Sequence, residues 1–117
     1  HHGHFAVSDQ LEHYRLQSPA LLFNQENYRR YQQMNEHTQR RERDRLLVSS
    51  LLVELRGLDV TFPVQLYATF ASIHYRPCRY KGQEFLGIVG DFACNIVIPD
   101  GFAFGRAVSH GYGWLRS

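Results

Sequence analysis

The amino-acid sequence predicts an α+β fold, one antiparallel sheet with helices on one face, and three observations carry that prediction. Apolar residues recur at spacings of three and four between Leu46 and Leu55, which is a helical period. From Val64 onward they recur at spacings of two, the period of a strand. A length of 117 residues confines both patterns to one domain with a core of its own.

Taken from the start, His1, His2 and His4 flank Gly3. Three readings stand open for them: the remnant of an affinity tag, a native loop, or part of an active site. Histidines on a flexible terminus without a fixed acidic or thiolate partner make a weak metal site, so no metal and no other cofactor is expected. Residues 11–17 part-alternate and run into Ser18-Pro19, which reads as a strand and its stop. Asn24 offers a helix N-cap, with Asn27 three residues on. The polar run 28–45 interleaves Arg29, Arg30, Arg40, Arg41, Arg43 and Arg45 with Glu36, Glu42 and Asp44. Mixed signs describe a solvated helical face, with a phosphate-facing arm as the alternative. The stripe from Leu46 to Leu55 must pack on something, and Gly57 is placed to cap it.

From Val64, the alternation of Leu66, Ala68 and Phe70 with Gln65, Tyr67 and Thr69 predicts a strand reaching Tyr75. Pro77 and Lys81-Gly82 read as a long arginine-bearing connection. Over 85–98, Leu86, Ile88, Phe92, Cys94, Ile96 and Ile98 share one face and Phe85, Asp91 and Asn95 the other, so the two strands form an antiparallel hairpin. Pro99-Asp100 ends the second strand, and residues 112–116 return as the last. Strand, helix, strand, strand, loop or short helix, strand is the ferredoxin-like order. The whole chain, 1–117, is one such domain, with 1–10 as a flexible or tag-derived lead.

A formal net charge of +2 is too small for a protein that coats nucleic acid without selectivity. Twelve of the thirteen basic residues are nonetheless arginine, whose planar fork suits phosphates and bases better than lysine does. Cys78 and Cys94 lack the spacing of a metal or redox motif and read as reduced thiols. No apolar run approaches a membrane span and no signal-peptide pattern opens the sequence, so a cytoplasmic location without a membrane partner is expected.

Residues 101–114 read Gly-Phe-Ala-Phe-Gly-Arg-Ala-Val-Ser-His-Gly-Tyr-Gly-Trp and hold four of the nine glycines. Glycine permits positive φ and close backbone approach, and here it is interleaved with Arg106, Ser109 and His110. Bare N–H groups beside a cation are chemistry for holding phosphate; a tight connection between two strands is the plainer reading.

The run Gly105-Arg106, Val108-Ser109, Gly111-Tyr112-Gly113 resembles the C-terminal glycine-rich loop of CRISPR repeat-cleaving endoribonucleases of the RAMP superfamily. That loop typically reads Gly-x-Gly-Lys-x-Val-Ser-x-Gly-Phe-Gly, and this chain differs at Ala103, Arg106 and Tyr112. Two further stretches carry the same resemblance in the same order. Residues 18–28, ending Leu22-Phe23-Asn24-Gln25-Glu26-Asn27-Tyr28, are similar to a Leu-Asn-x-Glu-Asn-Tyr signature, with Ala20 where one branch has tryptophan. Arg79-Tyr80-Lys81-Gly82 through Phe92, Asn95 and Pro99-Asp100 is similar to the segment leading into the glycine loop.

The resemblance implies a ferredoxin-like (RRM-like) fold and places the chain as the C-terminal half of such an enzyme. It further implies binding of CRISPR repeat RNA through the glycine loop and a part in metal-independent cleavage of precursor CRISPR RNA, leaving a 2′,3′-cyclic phosphate. The alternatives are a non-catalytic RNA-binding or scaffolding subunit of a CRISPR ribonucleoprotein and an unrelated interaction domain. The expected RNA contacts are Lys81, Gly101, Gly105, Arg106, Ser109, Gly111 and Gly113, with Arg106 foremost as a phosphate ligand. His110 and His4 are the candidate catalytic groups, and His110 equally suits a plain turn contact. Tyr112 and Trp114 fit either base stacking or the core. In the family the histidine, tyrosine and lysine of the reaction commonly lie in the first half, so a second ferredoxin-like half is expected as partner, from another chain or a second copy.

Overall fold

The computed structural model describes residues 5–116. Strand β1 (Ala6–Leu16) is followed by helices α1 (Gln25–Gln32) and α2 (Glu36–Gly57), the hairpin strands β2 (Ala68–Tyr80) and β3 (Gln83–Val97), a single 3-10 turn (Val108–His110) and the short strand β4 (Leu115–Arg116). The sheet order is β2-β3-β1-β4 with every neighbouring pair antiparallel, the ferredoxin-like arrangement predicted from the element order. The glycine-rich segment stands where a second crossover helix would otherwise run.

Alternation decides the inner face. Tyr14 and Leu16 of β1 and Ile88, Phe92, Cys94 and Ile96 of β3 are buried, and they form one core with Leu46, Leu47, Leu51 and Leu55 of α2. Phe102 and Phe104 join the same core from the glycine-rich segment, Phe104 meeting Phe92 edge-on at 5.8 Å. Each fully buried Leu or Phe contributes about 1.5–3 kcal/mol of transfer free energy, so the segment is held by its own aromatic residues.

The boundaries differ from the sequence reading for identifiable reasons. Residues 6–10 belong to β1, which begins earlier than the strand read from the sequence; a bulge between Val7 and Glu12 lets the strand continue past the break in alternation. The helical region is two helices, because Asn35 supplies a second N-cap, accepting from the Thr38 N–H at 2.9 Å, after the capping box of Asn24 and Asn27. Gly57 ends α2 rather than capping it. The left-handed cap position falls to Asp59, whose N–H donates to Arg56 while Val60 N–H donates to Leu55.

The predicted long connection after Tyr75 does not exist: β2 runs through Pro77 to Tyr80, and the turn is Lys81-Gly82 alone. Proline is tolerated because β2 is an edge strand, where a missing N–H breaks no ladder. The same edge is capped higher up by Asp44 of α2, which accepts from Phe70 N–H (3.0 Å) and Thr69 Oγ1 (2.8 Å). Before β2, the Asn95 side chain takes the Tyr67 N–H and donates to the Gln65 carbonyl, so residues 64–67 are tied down without being strand. The last strand is shorter than predicted, since Gly113 N–H donates to Pro19 and Trp114 Nε1 to Val108, leaving only Leu115 and Arg116 to pair with β1. Both cysteines are free; Cys94 is buried, which pushes its thiol up. Among the described residues no helix is long and apolar enough to cross a membrane.

Candidate nucleic-acid interface

The glycine-rich segment and the β2–β3 turn meet at one end of the sheet. The Tyr112 hydroxyl donates to the Arg79 carbonyl at 3.1 Å, tying the segment to the end of β2. His110 packs edge-on against Tyr80 with centroids 4.9 Å apart, Tyr80 lies 6.4 Å from Phe85, and the Arg106 guanidinium sits 4.7 Å over the Phe85 ring. Lys81 Nζ is 5.4 Å from the Tyr80 centroid. The result is a ridge of two accessible rings, exposed His110 and half-buried Tyr80, backed by the buried Phe85, with a cation at Lys81 and another at Arg106.

Neither cation enters an ion pair among the described residues; the four pairs there are Arg15–Asp91, Arg30–Glu26, Arg45–Glu42 and Arg79–Glu84. Both side chains are exposed. Cations lying on aromatic faces gain quadrupole attraction while keeping their donors open to an anion. His110 is exposed as well, with Nδ1 3.2 Å from Ser109 Oγ. That contact leaves Nε2 as the ring nitrogen available for a phosphate or a proton.

The local backbone explains how these groups are held. Gly105 has φ of +90°, and a Cβ there would come 3.1 Å from the Leu21 carbonyl oxygen. Its neighbour Arg106 pairs with Leu21 through an N–H bond of 3.1 Å, which fixes where the arginine leaves the backbone. Gly113 has φ of +77°, and a Cβ would overlap the Phe104 carbonyl, the residue to which Gly113 is also bonded. These two glycines allow the chain to approach itself, in line with the tight-connection reading of the sequence. Phe104, Arg106, His110, Gly111, Tyr112 and Gly113 donate backbone bonds inside the fold, and the stretch Ala107 to Ser109 donates none of these.

Of the site residues read from the sequence, Lys81, Gly105, Arg106, Ser109, His110, Gly111 and Gly113 gather at this end. Gly101 does not: it lies beyond the Val97 end of β3, next to Phe102, which packs on Phe5. His4 lies outside the described residues. Tyr112 and Trp114 are half-buried and spend their polar atoms on Arg79 and Val108. Sequence reasoning missed Tyr80 and Phe85, which join the two cations into one surface. Phe85, read from the sequence as facing away from the core, is buried, with Tyr80 and the Arg106 guanidinium packed against its ring.

Fold and site together define a ferredoxin-like domain in which a C-terminal glycine-rich loop replaces the second crossover helix and locks onto the β2–β3 turn. Residues 6–117 match the Cas6b C-terminal domain, and the chain belongs to that family. An uncharacterized protein of Methanocaldococcus jannaschii is 31% identical over 109 residues, covering 93% of this chain and 74% of that protein. A solved structure of Cas6b superposes with a TM-score of 0.89 at 26% identity, over 97% of this chain and 66% of that one. A second, described as the CRISPR RNA processing endoribonuclease Cas6b, gives 0.88 at 26% identity over 97% and 57%. Csf5, described as a CRISPR-Cas type IV Cas6 crRNA endonuclease, shares the fold with a TM-score of 0.71 at 14% identity. The chain therefore spans only about two thirds or less of the solved Cas6 chains it matches.

Proposed function

We propose that this chain binds CRISPR repeat RNA along the ridge formed by its glycine-rich loop and β2–β3 turn, and takes part in metal-independent cleavage of precursor CRISPR RNA. The observation that carries the reading is the convergence of Arg106 and Lys81, without acidic partners among the described residues, on the aromatic row that includes His110. Phosphates of a single strand bind the two cations while an unstacked base lies against an exposed ring edge. Membership of the Cas6b family, and the CRISPR RNA processing described for a solved relative, support the choice of RNA.

Cleavage of this type has the 2′-hydroxyl attack the adjacent phosphorus in line, with a base at the hydroxyl, an acid at the leaving 5′-oxygen and a cation on the phosphate oxygens. In this chain Arg106 and Lys81 supply the cation, and His110 supplies one proton-transfer group through Nε2. One histidine at the ridge against two proton-transfer roles favours a second reading, an RNA-holding domain whose remaining catalytic groups come from another ferredoxin-like half, on the same polypeptide, a partner or a second copy.

Incubating the purified chain with labelled repeat RNA in excess EDTA tests both. Cleavage that persists and falls in His110→Ala supports direct catalysis. Binding that requires Arg106, without product, supports the RNA-holding reading. Binding unaltered in Arg106→Ala, or absent from the wild type, removes the ridge as the RNA site.

A further inference from the structure

Toward the opposite end of β2 from the ridge, a cavity of about 190 Å³ lies between α2 and β2, walled by Arg40, Arg43, Phe70, Ala71, Ser72 and Ile73. A bulge shapes it. Phe70 pairs with Phe92 and Ser72 with Asp91, so Ala71 is the extra residue and the strand bends at that point.

The charges facing this cavity are unbalanced. Arg43 Nη1 donates to the Tyr31 hydroxyl (2.9 Å) and the Tyr75 hydroxyl (3.3 Å), but its buried Nε has no acceptor. That Nε is closed to solvent, so the part of the guanidinium that a ligand in the cavity can reach is Nη2, which makes no bond among the described residues. Arg40 sits one turn earlier on the same helix face, and like charges at that spacing repel. No ion pair among the described residues involves either arginine. Glu36, one turn before Arg40 on α2, is exposed and forms no ion pair among the described residues, and the other nearby carboxylates are engaged elsewhere. Asp44, the i+4 partner of Arg40, gives both oxygens to β2. Glu42 holds Arg45 through two bonds of 2.8 and 2.6 Å. Asp91, which accepts from Ser72 Oγ, is paired with Arg15.

We propose that this cavity is a phosphate-binding site, in which the guanidinium groups of Arg40 and Arg43 hold a phosphate group between α2 and the bulge of β2. Two forks approaching from successive helix turns suit a tetrahedral oxyanion, which offers acceptors in more than one plane. The group is either inorganic phosphate or a phosphodiester of a bound RNA strand. The site stands apart from the glycine-loop reading and does not depend on it.

The test is a titration of inorganic phosphate into the isotope-labelled chain at constant ionic strength, with chloride as the balancing anion, read by nuclear magnetic resonance. Saturable shifts of the Ala71, Ser72 and Ile73 amides and of the Arg43 Nε–H are expected, with affinity about tenfold weaker in Arg40→Gln, the loss of one charge-assisted contact. Arg43→Lys, which keeps the charge and loses the fork, is expected to weaken binding as well. Arg40 is exposed, so its variant keeps the test decisive if Arg43→Lys fails to fold. Absence of a saturable shift, or equal affinity in wild type and Arg40→Gln, overturns the proposal. A second arm adds an RNA oligonucleotide without terminal phosphates. Where inorganic phosphate gives saturable shifts, RNA shifts at the same amides assign the site to the phosphodiester as well, and a response to inorganic phosphate alone assigns it to small phosphates; both uphold it. RNA that leaves the amides around Arg106 unmoved counts against the ridge and not against this cavity.

Discussion

Replacing Gly113 with alanine is expected to unfold the glycine-rich loop from the sheet, and the size of the effect follows from the geometry. An alanine there occupies a backbone with φ of +77°, and its Cβ overlaps the Phe104 carbonyl oxygen. The left-handed conformation costs about 1–2 kcal/mol for a residue with a side chain. Relieving the overlap moves the backbone and breaks the bonds from Phe104 N–H to Gly113 (3.1 Å) and from Gly113 N–H to Pro19 (2.9 Å), each contributing about 1 kcal/mol. Gly113→Ala should therefore lose about 3–4 kcal/mol of a stability that for a domain is about 5–15 kcal/mol. Gly111 is the internal control: φ is +93°, but nothing lies within 4 Å of a Cβ, so only the conformational cost of about 1–2 kcal/mol applies. Urea unfolding followed by far-ultraviolet circular dichroism measures both. Equal losses in the two variants, or a loss below about 1 kcal/mol for Gly113→Ala, would refute the claim that Gly113 is required by contact within the fold.

Three further outcomes are expected. Arg106→Lys keeps the charge but gives up the planar group lying 4.7 Å over Phe85, so RNA affinity should fall while its salt dependence holds; Arg106→Ala should also flatten the log–log salt slope by about 0.7, as filter binding from low to moderate salt would show. Asp44→Ala leaves the Phe70 N–H at the edge of β2 without its acceptor and should cost about 1–3 kcal/mol, with faster amide exchange confined to Thr69 and its neighbours. Burial, reinforced by the Tyr31 hydroxyl, pushes the Tyr75 phenol up to about 12 from 10.0, so the folded chain keeps that proton while the unfolded chain releases it. Its contribution is complete below pH 10 and is lost as pH rises toward 12; urea midpoints should fall more steeply over that window in the wild type than in Tyr75→Phe.

The sheet was legible because its information is local. Alternation in 85–98 and the apolar stripe of α2 each reveal a buried face without reference to the rest of the chain. The misplaced boundaries are those where a distant partner decides. Pro77 reads as a turn residue until β2 is known to be an edge strand, and Val64–Tyr67 reads as strand until Asn95, some thirty residues away, claims its backbone. Gly57 reads as the cap because glycine is the common choice there, yet Asp59 holds the left-handed position.

The candidate site was legible as a list of residues but not as an arrangement. Glycine spacing marked the segment and composition supplied Arg106 and Lys81, but nothing in the sequence states that the Tyr80 and Phe85 rings stand between them. The sequence left two readings of the glycines, a tight connection or a phosphate cradle, and the structure shows how one can serve the other. Gly105 and Gly113 let the segment lie against Leu21 and Phe104, while Phe102 and Phe104 anchor it in the core. A segment fixed at those points has little freedom left between them, where Arg106, Ser109 and His110 emerge. Donors held in place before a ligand arrives need less reorganisation to bind it, so under the proposed RNA-binding function the architectural glycines contribute to recognition without touching the ligand.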